Sequence, residues 1–278
     1  MPQPKYRVIF RTCDAVLSVH GAPRPFGLTK TRLAKLCFLS LYDAIKNYDC
    51  SIHILGDKLS DDIQAFFNRF TAQDERVTLS NAVMGNEESI RQSVRYALQF
   101  HDDDWIYFCE DDYLHQPYAF LWIDDLIQNR MDILNYVPRR AWMKIFIDQL
   151  NNKPLFIHPP DYPDRYKAAQ RKHSFLFLSK YCHWRQVSHA TYSFLGEVKS
   201  IKKYQAAMLK SADNADDGYL SRRLFGRLLF LGRGLCVSPI PALSTHLQVN
   251  EMSPLVDWQQ LYERCDAKLT EFETASRL

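Results

Sequence analysis

The first ~135 residues switch repeatedly between two hydrophobic periods, and this alternation restricts the fold more than any other feature of the chain. Tyr6–Thr12 reads as a strand. From Thr29 to Asn47, residues Leu33, Leu36, Cys37, Leu39, Leu41, Ala44 and Ile45 lay a wide apolar face on a helix. Ser51–Leu55 reads as a second strand, and Ser60, Asp61 and Asp62 offer N-cap chemistry for a helix through Phe70. Val77–Leu79 follows as a short third strand, then Asn86–Ser89 leads into a helix through Gln99 with Ile90, Val94, Ala97 and Leu98 on one face. Ile106–Cys109 is apolar throughout, as a strand buried on both faces would be, and Pro117 suits the first turn of a helix to about Asn129. Strands at this spacing need helical crossovers, which implies an α/β fold with a mostly parallel central sheet flanked by helices.

Beyond Tyr136 the rhythm breaks. Residues 138–171 hold five prolines and several aromatics, and read as a long irregular excursion of the kind that serves as a binding loop. Regular patterning resumes near Ser174–Leu178. Helices are expected over Phe194–Leu209 and Asp217–Phe230, a last strand over Leu235–Pro239, and a terminal helix over Val256–Phe272. With no internal repeat and no linker, the expectation is one domain over 1–278, in which 5–135 forms a regular half and 136–278 a less regular one.

Composition removes several classes of function. With 46% hydrophobic and 24% charged residues the chain is not disordered, and a formal charge of +3 makes no case for nucleic acid. Basic residues do cluster at Arg171–His173, Lys199–Lys203 and Arg222–Arg233, and a mildly basic chain with an acidic site suits an anionic substrate. No apolar run approaches the ~20 residues of a membrane span, and no signal-like apolar region opens the chain. Seven cysteines without CxxC spacing read as reduced thiols. The expectation is a cytoplasmic protein without a zinc site.

The chemistry concentrates at Glu110, Asp111 and Asp112, where an apolar run passes directly into three acids. Charges beside a core are unfavourable unless paired, and ligands of open α/β sheets bind at the carboxyl ends of the strands. Carboxylate oxygens suit Mg²⁺ or Mn²⁺, above all when the ion also holds a substrate phosphate. The alternative is an acidic turn lying in water. Asp216 and Asp217 open a later helix, where acids also serve as caps and dipole partners. His246, just past the expected last strand, is a metal ligand or a structural histidine.

In this order the segments resemble the GT-A class of nucleotide-sugar glycosyltransferases, family 2 in particular, over most of residues 5–246. The resemblance implies a GT-A-like fold with a less regular C-terminal lobe on the acceptor side. It implies transfer of a sugar from a nucleoside-diphosphate sugar, UDP favoured, to an acceptor hydroxyl with inversion, assisted by Mn²⁺ or Mg²⁺. In the turn Gly56–Asp62, Asp57 would contact the nucleotide base, with Thr12 and Asp14 also at the nucleotide. Glu110–Asp112 stands in the place of the DxD motif, with Asp112 on the metal, Asp111 beside the donor, and Glu110 on the metal or on sugar or ribose. A Glu at the first position departs from the common form. His246 would complete the metal site. Asp217 would be the general base and Asp216 its neighbour, placing it or binding acceptor. Arg91, with Arg95 one turn on, reaches a diphosphate or lies on a solvated helix face. Trp142, Tyr162, Tyr166 and Trp184 are candidates for stacking on sugar rings. The acceptor stays open among saccharide, lipid-linked sugar, protein and modified nucleic acid. A sugar-1-phosphate nucleotidyltransferase is the second reading. It needs a glycine-rich phosphate loop, and residues 11–27 hold only Gly21 and Gly27. A non-catalytic binder on the same scaffold is the third.

Overall fold

The computed structural model describes residues 3–14, 23–134, 152–167, 174–226 and 233–275. Strands β1 (Tyr6–Thr12), β2 (Cys50–Asp57), β3 (Val77–Ala82) and β4 (Trp105–Glu110) lie parallel in the order β3-β2-β1-β4. Helices α1 (Lys30–Ile45), α2 (Asp61–Gln73) and α3 (Asn86–Ala97) make the crossovers, as the alternating periods require. The sheet then takes in β9 (Phe194–Glu197), β6 (Leu155–Ile157), β10 (Leu235–Ile240), β8 (His183–Val187) and β7 (Leu176–Leu178). From the pairings, seven of these nine strands run one way, and β8 and β9 run against them. The mostly parallel sheet flanked by helices is therefore what the chain forms. A separate ribbon pairs β5 (Tyr113–His115) with β11 (Ser244–His246).

The period of two along each strand divides the core between the faces. Tyr6, Val8 and Phe10 of β1 join Trp105, Tyr107 and Cys109 of β4 on one side. There they pack with α1, α2, α4 (Ala119–Gln128) and the terminal α8 (Trp258–Thr274). A four-residue helix, α5 (Arg130–Ile133), follows α4. Ile9, Ile106 and Phe108 point the other way, toward α3, α6 (Val198–Ser211) and α7 (Asp217–Leu224). Among the described residues no helix is long and apolar enough to cross a membrane.

The second half departs from expectation at defined places. The excursion over 138–171 contains β6, whose three residues are buried inside the sheet between β9 and β10. The helix expected from Phe194 begins at Val198, because Phe194–Glu197 is the strand β9 between β4 and β6. Gly196 permits that insertion: a Cβ there would meet the Phe156 ring at 2.8 Å. Trp142 and the cluster Arg171–His173 lie outside the described residues.

Two histidines are sealed in this core, His115 1% and His158 0% exposed. Burial holds the His115 imidazole down to about 3. It also drives His158 well below its ordinary value, with Arg165 and His189 adding to the effect. Below about pH 6.5 the unfolded chain binds protons at both sites and the native chain does not, so stability falls as pH falls. Each group contributes a slope of about 1.4 kcal/mol per pH unit between ~6.5 and its folded value. Urea unfolding from pH 7 to 5 is expected to show this loss, and His115→Gln to reduce the slope by one proton. A stability independent of pH across that range would refute it.

Candidate active site

Three consecutive carboxylates emerge where β4 ends, and the fold brings each a different cation. Glu110 lies beside Arg11 in the β1–β4 register, and their side chains pair at 2.5 Å. Arg11 is itself held by Asn86 at 2.6 Å and Ser89 at 3.1 Å, both on α3. Asp111 turns inward, accepting from the Thr12 hydroxyl at 2.8 Å, the Cys13 amide at 3.0 Å and the Lys30 ammonium at the start of α1. Asp112 faces the ribbon, where its Oδ2 lies 3.0 Å from Nε2 of His246. The ribbon fixes that meeting, since His246 registers with Tyr113 and the Leu247 amide donates to the Asp112 carbonyl at 2.8 Å. The His246 ring also stacks on Tyr113, 5.1 Å between centroids and 15° from parallel.

The three acids are not electrostatically equivalent. Burial pushes the Asp112 carboxyl up, but His246 foremost, then Lys30 and Arg11, hold it well below the usual carboxylate range. For Glu110 burial prevails over the neighbouring Arg11, and its pKa is raised. Burial acts against the His246 imidazolium, and Asp112 outweighs it, raising that pKa. Lys30 behaves likewise, with Asp111 and then Asp112 outweighing burial. One atom is left over. Asp112 Oδ1 is buried and has no hydrogen-bond partner among the described residues. A buried acceptor of this kind is costly unless a ligand, ion or water meets it.

Among the described residues no three His, Cys, Asp or Glu side chains form a group able to hold a metal ion. Glu110, expected as a possible third ligand, is turned to Arg11 and to the Ser193 hydroxyl, which lies 3.4 Å from its Oε2. What the fold offers is the pair Asp112 and His246. Their 3.0 Å separation is that of adjacent ligands on an octahedral ion, for which bonds of ~2.1 Å at right angles give about 3 Å. An ion that also binds substrate phosphates needs only one or two protein carboxylates and keeps water for the rest.

No family model matches the chain, and no curated protein matches it. Among solved structures it is similar to the galactosyltransferase LgtC in complex with donor and acceptor sugar analogs, 11% identical with 95% of each chain covered and a TM-score of 0.45. It is similar to the glycosyltransferase GlyE of Streptococcus pneumoniae, 12% identical over 95% of this chain and 64% of that one, TM-score 0.42. A third similar structure is the 4-diphosphocytidyl-2C-methyl-D-erythritol synthase of Anaerococcus prevotii, 12% identical over 96% and 97%, TM-score 0.41.

The remaining expected residues fall in several places. Thr12 and Asp111 are bonded to each other, so both are committed to holding β1 against the acidic turn. Asp14 accepts from the amide and hydroxyl of Ser60. Asp57 has both carboxylate oxygens on backbone amides, Met84 at 2.8 Å and Gly85 at 2.9 Å, where they fix the entry to α3. Arg91 is engaged by Asp213 at 2.6 Å and by Glu87 at 3.2 Å. Asp216 caps α7 through the Tyr219 amide at 2.7 Å, and Asp217 follows in the first turn, 40% exposed. Trp184 is fully buried in the sheet. Tyr162 is buried with its hydroxyl 2.5 Å from that of Tyr113, and Tyr166 bonds Asp161.

Sequence reasoning missed Lys30 and the segment His189–Ser193. Thr191 lies 2.9 Å from the Tyr113 hydroxyl, the Tyr192 ring 5.9 Å from the Arg11 guanidinium, and Ser193 3.0 Å from the Glu110 amide. Arginines at 7 and 11 of one strand were the only signal available. Both lie on a covered face and so require acids, which Asp104 and Glu110 supply.

Asp111 and Asp112 should separate by experiment. Asp111→Ala leaves the Lys30 ammonium, with a side chain only 16% exposed, without its counter-ion. The expected destabilisation is about 3–5 kcal/mol by urea unfolding. Lys30→Met combined with Asp111→Leu should recover much of it. Equal stability of Asp111→Ala and wild type would show that the pair does not organise the turn.

Proposed function

We propose that the chain is a divalent-metal-dependent glycosyltransferase that moves a sugar from a nucleoside-diphosphate donor, UDP-linked by preference, to an acceptor hydroxyl. The observation that carries the reading is the Asp112–His246 pair at the carboxyl edge of the sheet, with Asp112 Oδ1 buried and unpartnered among the described residues. Asp112 and His246 would hold Mn²⁺, which accepts imidazole beside carboxylate oxygen; Mg²⁺, which prefers oxygen, would rest on Asp112 and the donor phosphates. When bound, the ion supplies neutralisation of the charge that gathers on the departing diphosphate.

The other groups have parts that follow from their positions. Glu110, held by Arg11 and Ser193 and 28% exposed, presents carboxylate oxygen at the rim, where it can accept from sugar or ribose hydroxyls. Arg11, fixed by α3, keeps positive charge next to the donor face. Asp111 and Lys30 pair with each other and hold the turn in shape. On the acceptor side, α7 presents Asp217 as the acid that directs deprotonation of the incoming hydroxyl, which leads to inversion. A carboxylate anion at the acceptor's own oxygen would repel; a sugar hydroxyl fits this side better.

Manganese binding can be measured without knowing the acceptor. Wild type should bind Mn²⁺ in electron paramagnetic resonance titration, more tightly with UDP present. Asp112→Ala and His246→Ala should each weaken binding at least tenfold, with their folds unchanged by circular dichroism. Asp112→Asn should abolish metal-dependent cleavage of UDP-sugars. Wild-type turnover by that variant would refute the assignment. Release of pyrophosphate from a nucleoside triphosphate and a sugar phosphate would favour the nucleotidyltransferase reading instead.

A further inference from the structure

Asp217 does not stand alone on the acceptor side. His189 Nε2 lies 3.7 Å from Asp217 Oδ1, and the imidazole is 59% exposed. The two are held in mutual register: the Ser221 hydroxyl of α7 both accepts from the Ala190 amide and donates to the Ala190 carbonyl, each at 3.1 Å. The residue next to His189 is thus bolted to the helix that carries Asp217. Four residues further on, Ser193 is bonded to Glu110. An extended chain spans at most ~14 Å over that interval, which bounds the distance from His189 to the Ser193–Glu110 contact.

Resting on the glycosyltransferase reading above, we propose that the base is a dyad in which His189 takes the acceptor proton and Asp217 holds and orients its ring. A carboxylate can only accept, so the nitrogen facing Asp217 carries the hydrogen and Nδ1 is left as the basic nitrogen. Catalytic hydrogen bonds are often long before substrate binds, and 3.7 Å needs only a small rotation to close. Imidazole is intrinsically the stronger base by roughly two to three pKa units, which suits a hydroxyl proton at neutral pH. In the step itself the acceptor oxygen bonds to the anomeric carbon as its proton passes to Nδ1. The bond from that carbon to the diphosphate oxygen breaks, and the diphosphate leaves with the electron pair. The imidazolium is stabilised by Asp217 and returns its proton to solvent. Among the described residues, the charged and titratable groups near the dyad are Asp216 and Arg222 on α7, His158 behind the segment, and Tyr192, whose hydroxyl is also influenced by Arg11 and Glu110.

Spectroscopic, kinetic and thermal measurements test this, the first and last independent of turnover. In ¹⁵N spectra of the His189 ring above pH 8, wild type should show the Nε2–H tautomer, and Asp217→Asn should lose that bias. With UDP-glucose and UDP-galactose as donors and water as acceptor, His189→Gln should lower kcat about 100-fold or more. It should leave the melting shift given by UDP plus Mn²⁺ unchanged. The profile of kcat against pH should have an acid limb in wild type that vanishes in His189→Gln. Wild-type turnover by His189→Gln, or mixed tautomers in wild type, overturns the dyad and leaves the glycosyltransferase reading standing. A wild-type chain with neither a melting shift nor donor cleavage overturns that reading, and the dyad's role with it.

Discussion

Three adjacent carboxylates at the edge of an apolar sheet are tolerable only if each charge is met, and the arrangement around β4 follows from meeting them. Arg11 comes from the neighbouring strand, Lys30 from the first helix, and His246 from the ribbon. The three solutions differ in kind. Lys30 pairs with one oxygen of Asp111, and the Thr12 hydroxyl and Cys13 amide both donate to the other. Such a pair fixes structure. Asp112 keeps an oxygen in reserve, and its partner is an imidazole, which near neutral pH loses a proton to solvent and frees a lone pair for a metal far more readily than an ammonium or guanidinium. The same electrostatic demand is thus answered by a structural lock at one residue and, at the next, by the pair proposed as the metal site.

The regular half of the fold was legible because its periods are long enough to read. β1 to β4 and α1 to α3 each run for at least six residues, and their apolar positions repeat unambiguously. Strands β5, β6 and β11 have three residues and β9 has four, too few to establish a period of two. Phe194–Glu197 also runs straight into a helical pattern, so local sequence favoured helix, and sheet pairing with β4 and β6 decided otherwise. Pro154, Pro159 and Pro160 flank β6 and gave the whole stretch the look of a loop, although they lie outside that strand.

For the site, order along the chain was informative and partnership was not. Asp112 and His246 could be named because each follows a readable strand, and the structure brings them together across 134 positions. Asp57 and Asp216 carried the same kind of signal, an acid at an element boundary. The structure gives both to backbone amides, the local use for which short acidic side chains are equally suited. Lys30 left no trace in the sequence, since nothing about a lysine at a helix start reveals an acid 81 residues away. His189–Ser193 has neither a helical nor a strand period.

That segment acquires its position from strand direction. β9 is antiparallel to β4, with Phe108 opposite Phe194, so the residues before β9 arrive at the end of the sheet where β4 terminates. A parallel strand in that place would have delivered its preceding residues to the opposite edge, far from Glu110. The reversal lets one short stretch bond Glu110 through Ser193, cover Arg11 with Tyr192, meet Tyr113 through Thr191 and set His189 beside Asp217. The ribbon uses the same geometry on the other flank, where antiparallel pairing of β11 with β5 returns His246 to the turn that β5 has just left. A parallel sheet opens its strand ends as a platform; the reversed strands β9 and β11 bring a second set of side chains to that platform from the far half of the chain.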